Sequence, residues 1–287
     1  MKKIAECDLK LSDKKVCEIC PHHCQLEVGE VGRCRGRIND GEKITALNYG
    51  AVTSLALDPI EKKPLYHFFP GSSILSVGSY GCNLNCPFCQ NFEISMADST
   101  FPAHKTSPEK LVALALELAR ERNNIGVAFT YNEPFISYEF IQDTAEILRE
   151  VNLKTILVTN GTVSSGALKK ILPLIDAMNI DLKGFSQKIY DQLGGDFKTV
   201  KNTIQIASQS CHVEVTTLIV PNMNDSEDEM SAEAKWLADI SEEIPLHVSR
   251  FFPRYKVLNH APTNVRTVYR LAEVAGQFLK FVHTGNC

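Results

Sequence analysis

The chain has 287 residues, 44% of them apolar, and its 30 basic and 34 acidic residues give a formal net charge of -4. This length can hold one large domain or two ordinary ones, with enough apolar residues for a sizeable core. The charges are scattered without long blocks, so no electrostatic argument favours nucleic acid or an anionic membrane as a partner.

The N-terminus, MKKIAECDLK, has Glu, Cys and Asp where a secretory signal would need an unbroken apolar core. The longest apolar runs, such as TTLIVP, are far shorter than the roughly 20 residues that cross a bilayer. We therefore expect a cytoplasmic protein, in which the ten cysteines indicate metal or redox chemistry rather than disulfides. Seven of them form two groups, and the other three, Cys7, Cys211 and Cys287, are expected to be free thiols.

Residues 1–73 predict a small N-terminal module, because they lack the strand and helix rhythm of the rest. A strand pair around EKITALNYGAVTSLAL is followed by a proline-containing extended connection, DPIEKKPLYHFFPGS. Before them, four cysteines have spacings that suit metal ligation: Cys17-x2-Cys20-x3-Cys24-x9-Cys34. Four thiols complete a closed site, for which a structural zinc and an iron-sulfur cluster fit about equally well and disulfides are the minor alternative. His22 and His23 lie inside this N-terminal cysteine group and could replace one thiol, although with four thiols available we expect them to lie outside the ligand set or at the surface.

From residue 74 to residue 287, short β-branched runs alternate with longer amphipathic segments. The runs predict six strands: ILSVGSY, IGVAFTY, KTILVTN, AMNIDLK, HVEVTTLIVP and PLHVSRFFP. The predicted helices between the strands are SPEKLVALALELARERN, ISYEFIQDTAEILREVN, SSGALKKILPLI and SEDEMSAEAKWLADIS, and several of them open with a serine that can act as N-cap. This alternation indicates an α/β fold with a parallel sheet, and six units favour a partial (β/α)6 TIM-like barrel over a flat doubly wound sheet.

Polar residues recur at the C-terminal ends of these strands, where parallel α/β barrels carry their chemistry. In chain order they are Gly81 and Cys82; Tyr131, Asn132 and Glu133; Thr159, Asn160 and Gly161; Asp181 and Lys183; Asn222; and Ser249 and Arg250. Each of them alone could be a helix cap or a loop residue. Their joint occurrence predicts a functional site at this end of the barrel.

The second cysteine group, GCNLNCPFCQN, directly follows the first predicted strand and contains Cys82, Cys86 and Cys89. A closed metal site normally takes four protein ligands, so three thiols leave one position open. Three thiolates can hold three irons of a 4Fe-4S cluster and leave the fourth iron to a small chelating ligand. An electron carrier would need no open position. We call residues 82–89 the three-cysteine loop.

The three-cysteine loop, with Phe88 before its last cysteine, closely resembles the cluster motif of the radical S-adenosylmethionine (SAM) superfamily. TYNEP at 130–134, TNG at 159–161, DLKG at 181–184 and HVSRFFP at 247–253 resemble strand-end motifs of its pyruvate formate-lyase activating enzyme branch. Within that branch, CPHHC, DPIEKKPLYHFFPG and SRFFPRYK are most similar to the radical SAM enzyme of the AmmeMemoRadiSam system. The resemblance spans nearly the whole chain.

The resemblance implies that SAM binds the open iron, and that one-electron reduction yields methionine and a 5′-deoxyadenosyl radical. That radical would abstract hydrogen from a protein or small-molecule substrate. The resemblance also implies a low-potential electron donor of the flavodoxin or ferredoxin type. The protein partner would be a glycyl-radical enzyme or another protein of the AmmeMemoRadiSam system. The alternative is an iron-sulfur electron carrier or metal-binding scaffold, which needs neither an open site nor polar strand ends.

Asn132 and Glu133 match the region that contacts the methionine amino group of SAM in the family. A carboxylate suits a bound ammonium, although Glu133 could instead cap the next helix. Asn160 could exchange hydrogen bonds with SAM or simply form a turn.

Asp181 and Lys183 are two residues apart on a strand and therefore share a face. The resemblance places Asp181 on the ribose or ammonium of SAM and Lys183 on its carboxylate, with a structural ion pair as the alternative. His247 matches a histidine near the adenosine, or is a satisfied core residue. In the activating-enzyme branch extra clusters follow the SAM-cluster loop, whereas the N-terminal cysteine group precedes it, so no role carries over to that group.

Overall fold

The computed structural model describes residues 14–287, so Cys7 lies outside the described residues. The strands are β1 Lys15–Val16, β2 Gln25–Leu26, β3 Arg37–Asn39, β4 Ile44–Ala46, β5 Ala51–Val52, β6 Ser54–Pro59, β7 Ser73–Gly78, β8 His104–Lys105, β9 Asn124–Phe129, β10 Lys154–Thr159, β11 Ala177–Asp181, β12 His212–Ile219, β13 Leu246–Arg250 and β14 Val282–Gly285. The α-helices are α1 Phe92–Ser95, α2 Pro108–Arg122, α3 Tyr138–Glu150, α4 Ser165–Ile171, α5 Gln187–Leu193, α6 Phe197–Ala207, α7 Glu227–Ile240 and α8 Val265–Ala275.

One eight-stranded sheet has the strand order β6-β7-β9-β10-β11-β12-β13-β14. The strands from β7 to β14 pair in parallel, and β6 pairs antiparallel with β7. Helices between successive parallel strands complete the repeated βα pattern. This mostly parallel α/β architecture confirms the predicted fold class.

All six predicted strands are present as β7, β9, β10, β11, β12 and β13. The structure adds β14 at one edge of the sheet and β6 at the other. β6 comes from the segment that the sequence assigned to the N-terminal module, so residues 54–59 extend the main sheet. The division of the chain after residue 73 stays a prediction.

Alternation along β12 shows how the sheet separates its two faces. Val213, Val215 and Ile219 are buried in the main apolar core, whereas Thr216 and Leu218 line the cavity inside the barrel. Successive side chains of a strand point to opposite faces, which explains this split. The helices begin where serine caps were expected: the side chains of Ser107, Ser164 and Ser226 each accept a backbone N–H of the first turn.

The connection between β6 and β7 is tied to the sheet by buried polar groups. The carboxylate of Glu214 on β12 accepts the backbone N–H groups of Tyr66 (3.0 Å) and His67 (2.8 Å). The side-chain amide of Asn179 on β11 donates to the carbonyl of Pro64 at 2.8 Å. His67 also contacts His283 of β14 through their Nε2 atoms, 2.8 Å apart. The connection therefore bridges strands from β11 to β14.

The remaining strands form three two-stranded pairs, β1 with β2, β3 with β4 and β5 with β8. A buried Arg37 on β3 makes a two-pronged ion pair with Glu139 of α3, at 2.5 and 2.8 Å. This contact joins the N-terminal residues to the helical layer. Among residues 14–287, no helix is both long and apolar enough to cross a membrane.

Candidate active site

A cavity of about 560 Å³ opens at the C-terminal ends of the parallel strands. All nine residues that the sequence assigned to cluster and SAM binding line it: Cys82, Cys86, Cys89, Asn132, Glu133, Asn160, Asp181, Lys183 and His247. These residues are up to 165 positions apart in sequence, from 82 to 247. The parallel topology therefore brings the separate strand-end motifs to one place.

The three-cysteine loop is held by a close contact with the N-terminal cysteine group. Gly81 has φ +87°, and a Cβ at this position would lie 2.5 Å from the carbonyl oxygen of Cys34. Glycine is therefore required both by the backbone conformation and by the space. Within the loop, the buried side chain of Phe88 packs edge-on against Phe251, with ring centroids 6.5 Å apart.

The thiols of this loop have weak polar neighbours and little solvent. The Sγ of Cys82 accepts the backbone N–H of Leu84 at 3.5 Å, and Cys89 Sγ lies 3.1 Å from the hydroxyl of Ser95. Burial raises the pKa of Cys82 well above its usual value and that of Cys86 to about 12. Loading a metal cluster must therefore displace thiol protons, because thiolate is the form that ligates metal.

Asp181 and Lys183 form an ion pair inside the cavity, with 2.7 Å between Oδ2 and Nζ. Ile180, which precedes Asp181, and Leu182, which lies between Asp181 and Lys183, are both fully buried. They point away from the cavity, as expected for alternating side chains. Burial opposes the charged form of Lys183, but attraction to Asp181 outweighs it and raises the pKa of Lys183 above its usual value. The ammonium therefore stays charged and close to the cysteine thiols.

Glu133 is almost completely buried, and both of its carboxylate oxygens accept hydrogen bonds. Oε1 accepts from the hydroxyl of Thr159 (2.7 Å) and the N–H of Phe135 (3.1 Å), and Oε2 accepts from the N–H of Asn160 (2.9 Å). Burial raises its pKa to about 7 despite these bonds. Glu133 thus caps the helical turn that follows β9, as the structural alternative to a role in SAM binding predicts. It also lines the cavity.

Asn132 and Asn160 support the backbone around Cys82. The side-chain amide of Asn132 donates to the carbonyl of Gly81 at 3.0 Å, and its oxygen accepts the N–H of Ser79 at 3.1 Å. The amide of Asn160 donates to Asn83 Oδ1 at 2.9 Å and lies 3.6 Å from Cys82 Sγ. Their roles toward SAM stay predictions, and in the structure both stabilise the loop.

His247 lies deeper in the cavity wall and is only 3% exposed. Its Nε2 contacts Oε2 of Glu214 at 2.6 Å, and its ring stacks on that of His283 with centroids 5.2 Å apart. Burial would raise the pKa of Glu214, but hydrogen bonds from His212, His247 and the connection lower it to about 2. His247 is thus a satisfied buried histidine, and its contact with adenosine stays a prediction.

Two buried residues in and around this site, Asn83 and Glu214, were not predicted from the sequence. Asn83 is buried, and its side-chain amide donates to the carbonyl of Thr162 at 2.7 Å. In the sequence it lies between two predicted ligand cysteines, and no separate pattern marks it. Glu214 was missed although HVEVTT places it on the same strand face as Thr216. A charged residue inside an apolar, β-branched run is the signal that could have identified it.

The cysteines of the N-terminal group line a second, small cavity together with Arg37 and Ile136. Burial raises the pKa of Cys20 to about 12 and also raises that of Cys34. His22 does not face away from the protein: its Nε2 donates to the carbonyl of Asn83 at 2.8 Å. Within residues 14–287, no three His, Cys, Asp or Glu side chains are arranged to hold a single metal ion.

The residues of the large cavity fit a cluster that keeps one coordination position open. Cys82, Cys86 and Cys89 supply three soft sulfur donors from one loop. The ion pair of Asp181 and Lys183 offers both a cation and an anion to a zwitterionic ligand such as the methionine end of SAM.

The sequence pattern of the Radical SAM superfamily matches residues 76–234. An uncharacterized protein of Methanocaldococcus jannaschii is 40% identical over 282 residues, which cover 96% of this chain and 83% of that protein. The 4-hydroxyphenylacetate decarboxylase activating enzyme of Clostridioides difficile is 25% identical over 156 residues, 51% of this chain and 49% of the enzyme.

Among solved structures, Streptococcus suis SuiB bound to S-adenosylmethionine superposes with a TM-score of 0.58 at 15% identity, covering 75% of this chain and 52% of that chain. At this identity the similarity concerns the fold. The superfamily pattern begins within β7 and ends in α7, and so contains the three-cysteine loop and the strand ends up to β12. A putative glycyl-radical enzyme activating enzyme of Methanocaldococcus jannaschii is 22% identical over 217 residues, 74% of this chain and 80% of that protein. This chain belongs to the radical SAM superfamily, and it resembles such activating enzymes within it.

Proposed function

We propose that the chain binds a 4Fe-4S cluster through Cys82, Cys86 and Cys89 and uses SAM to abstract hydrogen from a substrate. The observation that supports this most is the convergence of three cysteines, five polar strand-end residues and His247 on one cavity. When bound, the cluster and SAM supply a 5′-deoxyadenosyl radical, and methionine and 5′-deoxyadenosine are the products after hydrogen transfer. An electron carrier would need only the cysteines.

The residues of this chain position the two cofactors. Lys183 would bind the carboxylate of SAM, and Asp181 its ribose or ammonium, because both residues line the cavity at the end of β11. Glu133 and Asn132 would lie near the ammonium group of SAM. Apolar walls such as Leu84 and Leu218 limit the water that could quench a radical.

Cleavage of SAM by the anaerobically reconstituted protein under dithionite tests this proposal. We expect 5′-deoxyadenosine from the wild type and none from Cys82→Ala, Cys86→Ala or Cys89→Ala. Cys211→Ala is the matched control, because Cys211 precedes β12 and does not line the cavity. Cleavage that survives in all three cavity variants would refute the cluster assignment, and an intact reduced cluster without cleavage would favour the electron carrier.

The substrate class has two candidates within this reaction. The similarity to a putative glycyl-radical enzyme activating enzyme supports installation of a glycyl radical on a partner protein. The resemblance of CPHHC, DPIEKKPLYHFFPG and SRFFPRYK to the AmmeMemoRadiSam enzyme supports a modification linked to the other proteins of that system. Electrons would come from a flavodoxin or ferredoxin. Electron paramagnetic resonance for a glycyl radical, and mass spectrometry with the partner proteins present, distinguish the two candidates.

A further inference from the structure

Lys63 is a buried lysine in the active-site cavity, and it is not among the residues proposed above to contact SAM. It follows the short helical turn Ile60–Lys62 after β6, and the residue is 3% exposed. It nevertheless lines the same cavity as the three-cysteine loop. Its neighbour Lys62 also lines this cavity but is 67% exposed. Two adjacent lysines therefore differ sharply in their environments.

The amine of Lys63 lies next to the carboxylate of Asp58 and the ring of Tyr131. Its Nζ lies 3.0 Å from Oδ2 of Asp58, and the phenol of Tyr131 donates to the same oxygen at 3.0 Å. Nζ also lies 4.6 Å from the centroid of the Tyr131 ring. Both Tyr131 and Lys63 line the cavity, so a ligand there would meet an amine and a phenol that share the Asp58 carboxylate as their partner.

The backbone at Tyr131 indicates that this arrangement is specifically maintained. Tyr131 has φ +73°, which is strained for a residue other than glycine. The side-chain amide of Asn91 holds its carbonyl at 2.9 Å. Such strain persists only where the surroundings impose it, and it is concentrated at functional sites.

The charge balance at Lys63 differs from that at Lys183, although both are buried and ion-paired in one cavity. Burial lowers the pKa of Lys63 below its usual value, and attraction to Asp58 does not compensate for it. At Lys183 the attraction to Asp181 outweighs burial and the pKa rises. Lys63 therefore has the larger fraction of neutral amine, which is the nucleophilic form.

We propose that Lys63 forms an imine with an aldehyde or ketone substrate and so fixes that substrate inside the active-site cavity. This inference rests on the proposed function for the radical step and narrows its substrate class to small carbonyl compounds. The Lys63 ammonium loses one proton to solvent, and the neutral amine attacks the carbonyl carbon. The resulting carbinolamine takes a proton from solvent on its hydroxyl group and loses water, which leaves a protonated C=N bond beside the Asp58 carboxylate, whose pKa, despite burial, its hydrogen bonds lower to about 2. No oxidant or reductant is consumed.

Reductive trapping tests the imine without any need for SAM cleavage. The reconstituted protein is incubated anaerobically with pyruvate or with glycolaldehyde and sodium cyanoborohydride, and tryptic peptides are analysed by mass spectrometry. We expect modification at Lys63 to exceed that at Lys62 several-fold, although Lys62 is far more exposed. Trapping with pyruvate alone indicates a 2-oxo acid, and trapping with glycolaldehyde alone indicates an aldehyde.

Three variants separate a catalytic amine from a structural ion pair. Lys63→Arg retains a cation beside Asp58 but cannot form an imine, so labelling at this position must disappear while the melting temperature stays close to wild type. Asp58→Asn and Tyr131→Phe should slow labelling of Lys63 several-fold and leave labelling of the exposed Lys188 unchanged.

Labelling that follows exposure, with Lys62 modified as much as Lys63 or more, would overturn the imine. So would the absence of any Lys63 adduct with both probes. Because trapping uses neither SAM nor dithionite, this result is independent of the SAM-cleavage assay. A failure of the imine and a failure of the radical chemistry therefore remain distinguishable.

Discussion

Lys63 and Lys183 have carboxylate partners at similar distances, 3.0 and 2.7 Å, yet their pKa values shift in opposite directions. The neighbouring cation Lys62 also lowers the pKa of Lys63. A permanent cation suits the binding of a carboxylate, and a readily neutralised amine suits covalent chemistry. The division of roles between the two lysines follows from their neighbours and not from their burial alone.

Lys183→Ala should weaken SAM binding about thirtyfold, because a lost charge-assisted hydrogen bond costs on the order of 2 kcal/mol. The unpaired Asp181, 31% exposed, can be solvated, so the melting temperature of the SAM-free protein should change little. Calorimetric titration with SAM and thermal melting measure the two effects. Lys188→Ala on the exposed side of α5 is the control. A large loss of melting temperature with unchanged SAM affinity would identify a structural ion pair.

All nine site residues predicted from the sequence line the cavity, but the sequence does not show which hydrogen-bond partners they have. Strand-end position follows from the βα rhythm, which is local in sequence. The contact of His247 with Glu214, however, joins residues 33 positions apart, and that of Glu133 with Asn160 joins residues 27 apart. Such pairings depend on sheet register and side-chain rotamers, which periodicity does not encode.

Helix α7 carries a buried acid behind the sheet. Glu233 accepts a hydrogen bond from the hydroxyl of Thr217 on β12, and its Oε2 has no hydrogen-bond partner among the described residues. Burial raises its pKa from an ordinary value of 4.5 to about 8. Between these values the folded chain keeps a proton that the unfolded chain has lost. The free energy of unfolding must therefore fall as pH rises through this window, by at most about 1.4 kcal/mol per pH unit.

Glu233→Gln should flatten this pH dependence, because the amide does not titrate. We expect the variant to lose less stability than the wild type when the pH is raised from 4.5 to 8. Chemical denaturation at both ends of the window gives the comparison. Glu227→Gln, on the same helix but half-exposed and paired with Arg270, should retain the wild-type dependence. Parallel slopes for Glu233→Gln and the wild type would contradict the raised pKa.

Length alone does not decide which elements are predicted from the sequence, because the missed helices α6 and α8 have 11 residues each and the predicted helix α4 has seven. The helical segments that became α2, α3, α4 and α7 were recognised, whereas α5, α6, α8 and β14 were not. β14 has four residues, VHTG, and its pattern is too short to distinguish from a loop. It becomes a strand because it pairs with β13 over four residues.

On the scale of the whole molecule, the two cysteine groups share a boundary. The carbonyl of Cys34 touches Gly81, and His22 reaches Asn83, so the N-terminal cysteine group packs directly against the three-cysteine loop. The second metal centre remains a prediction. Its four thiols surround one cavity, and metal binding to such a loop-rich segment would contribute folding free energy.

A variant that lacks Cys82, Cys86 and Cys89 should still contain zinc or iron, at about one site per chain, if the N-terminal cysteine group binds metal. Elemental analysis and anaerobic absorption spectra identify the metal. Replacing Cys17 and Cys20 by Ser in the same background should remove it and lower the melting temperature, while Cys211→Ser serves as the control. A folded triple variant that is free of metal would rule out the second centre.

The carboxylate of Glu214 accepts two backbone hydrogen bonds from the connection between β6 and β7, as a neighbouring strand would in a sheet. Tyr66 and His67 lie in an irregular bend, where amide hydrogens normally exchange with solvent within a short time. Here both amides are bonded to a fully buried, charged carboxylate, so we expect them to exchange as slowly as those of the sheet. Glu214→Gln can accept only one of the two bonds, and deuterium uptake at residues 66–67 should then accelerate. Uptake that is already fast in the wild type would mean that the connection detaches in solution and periodically opens the barrel between β6 and β14.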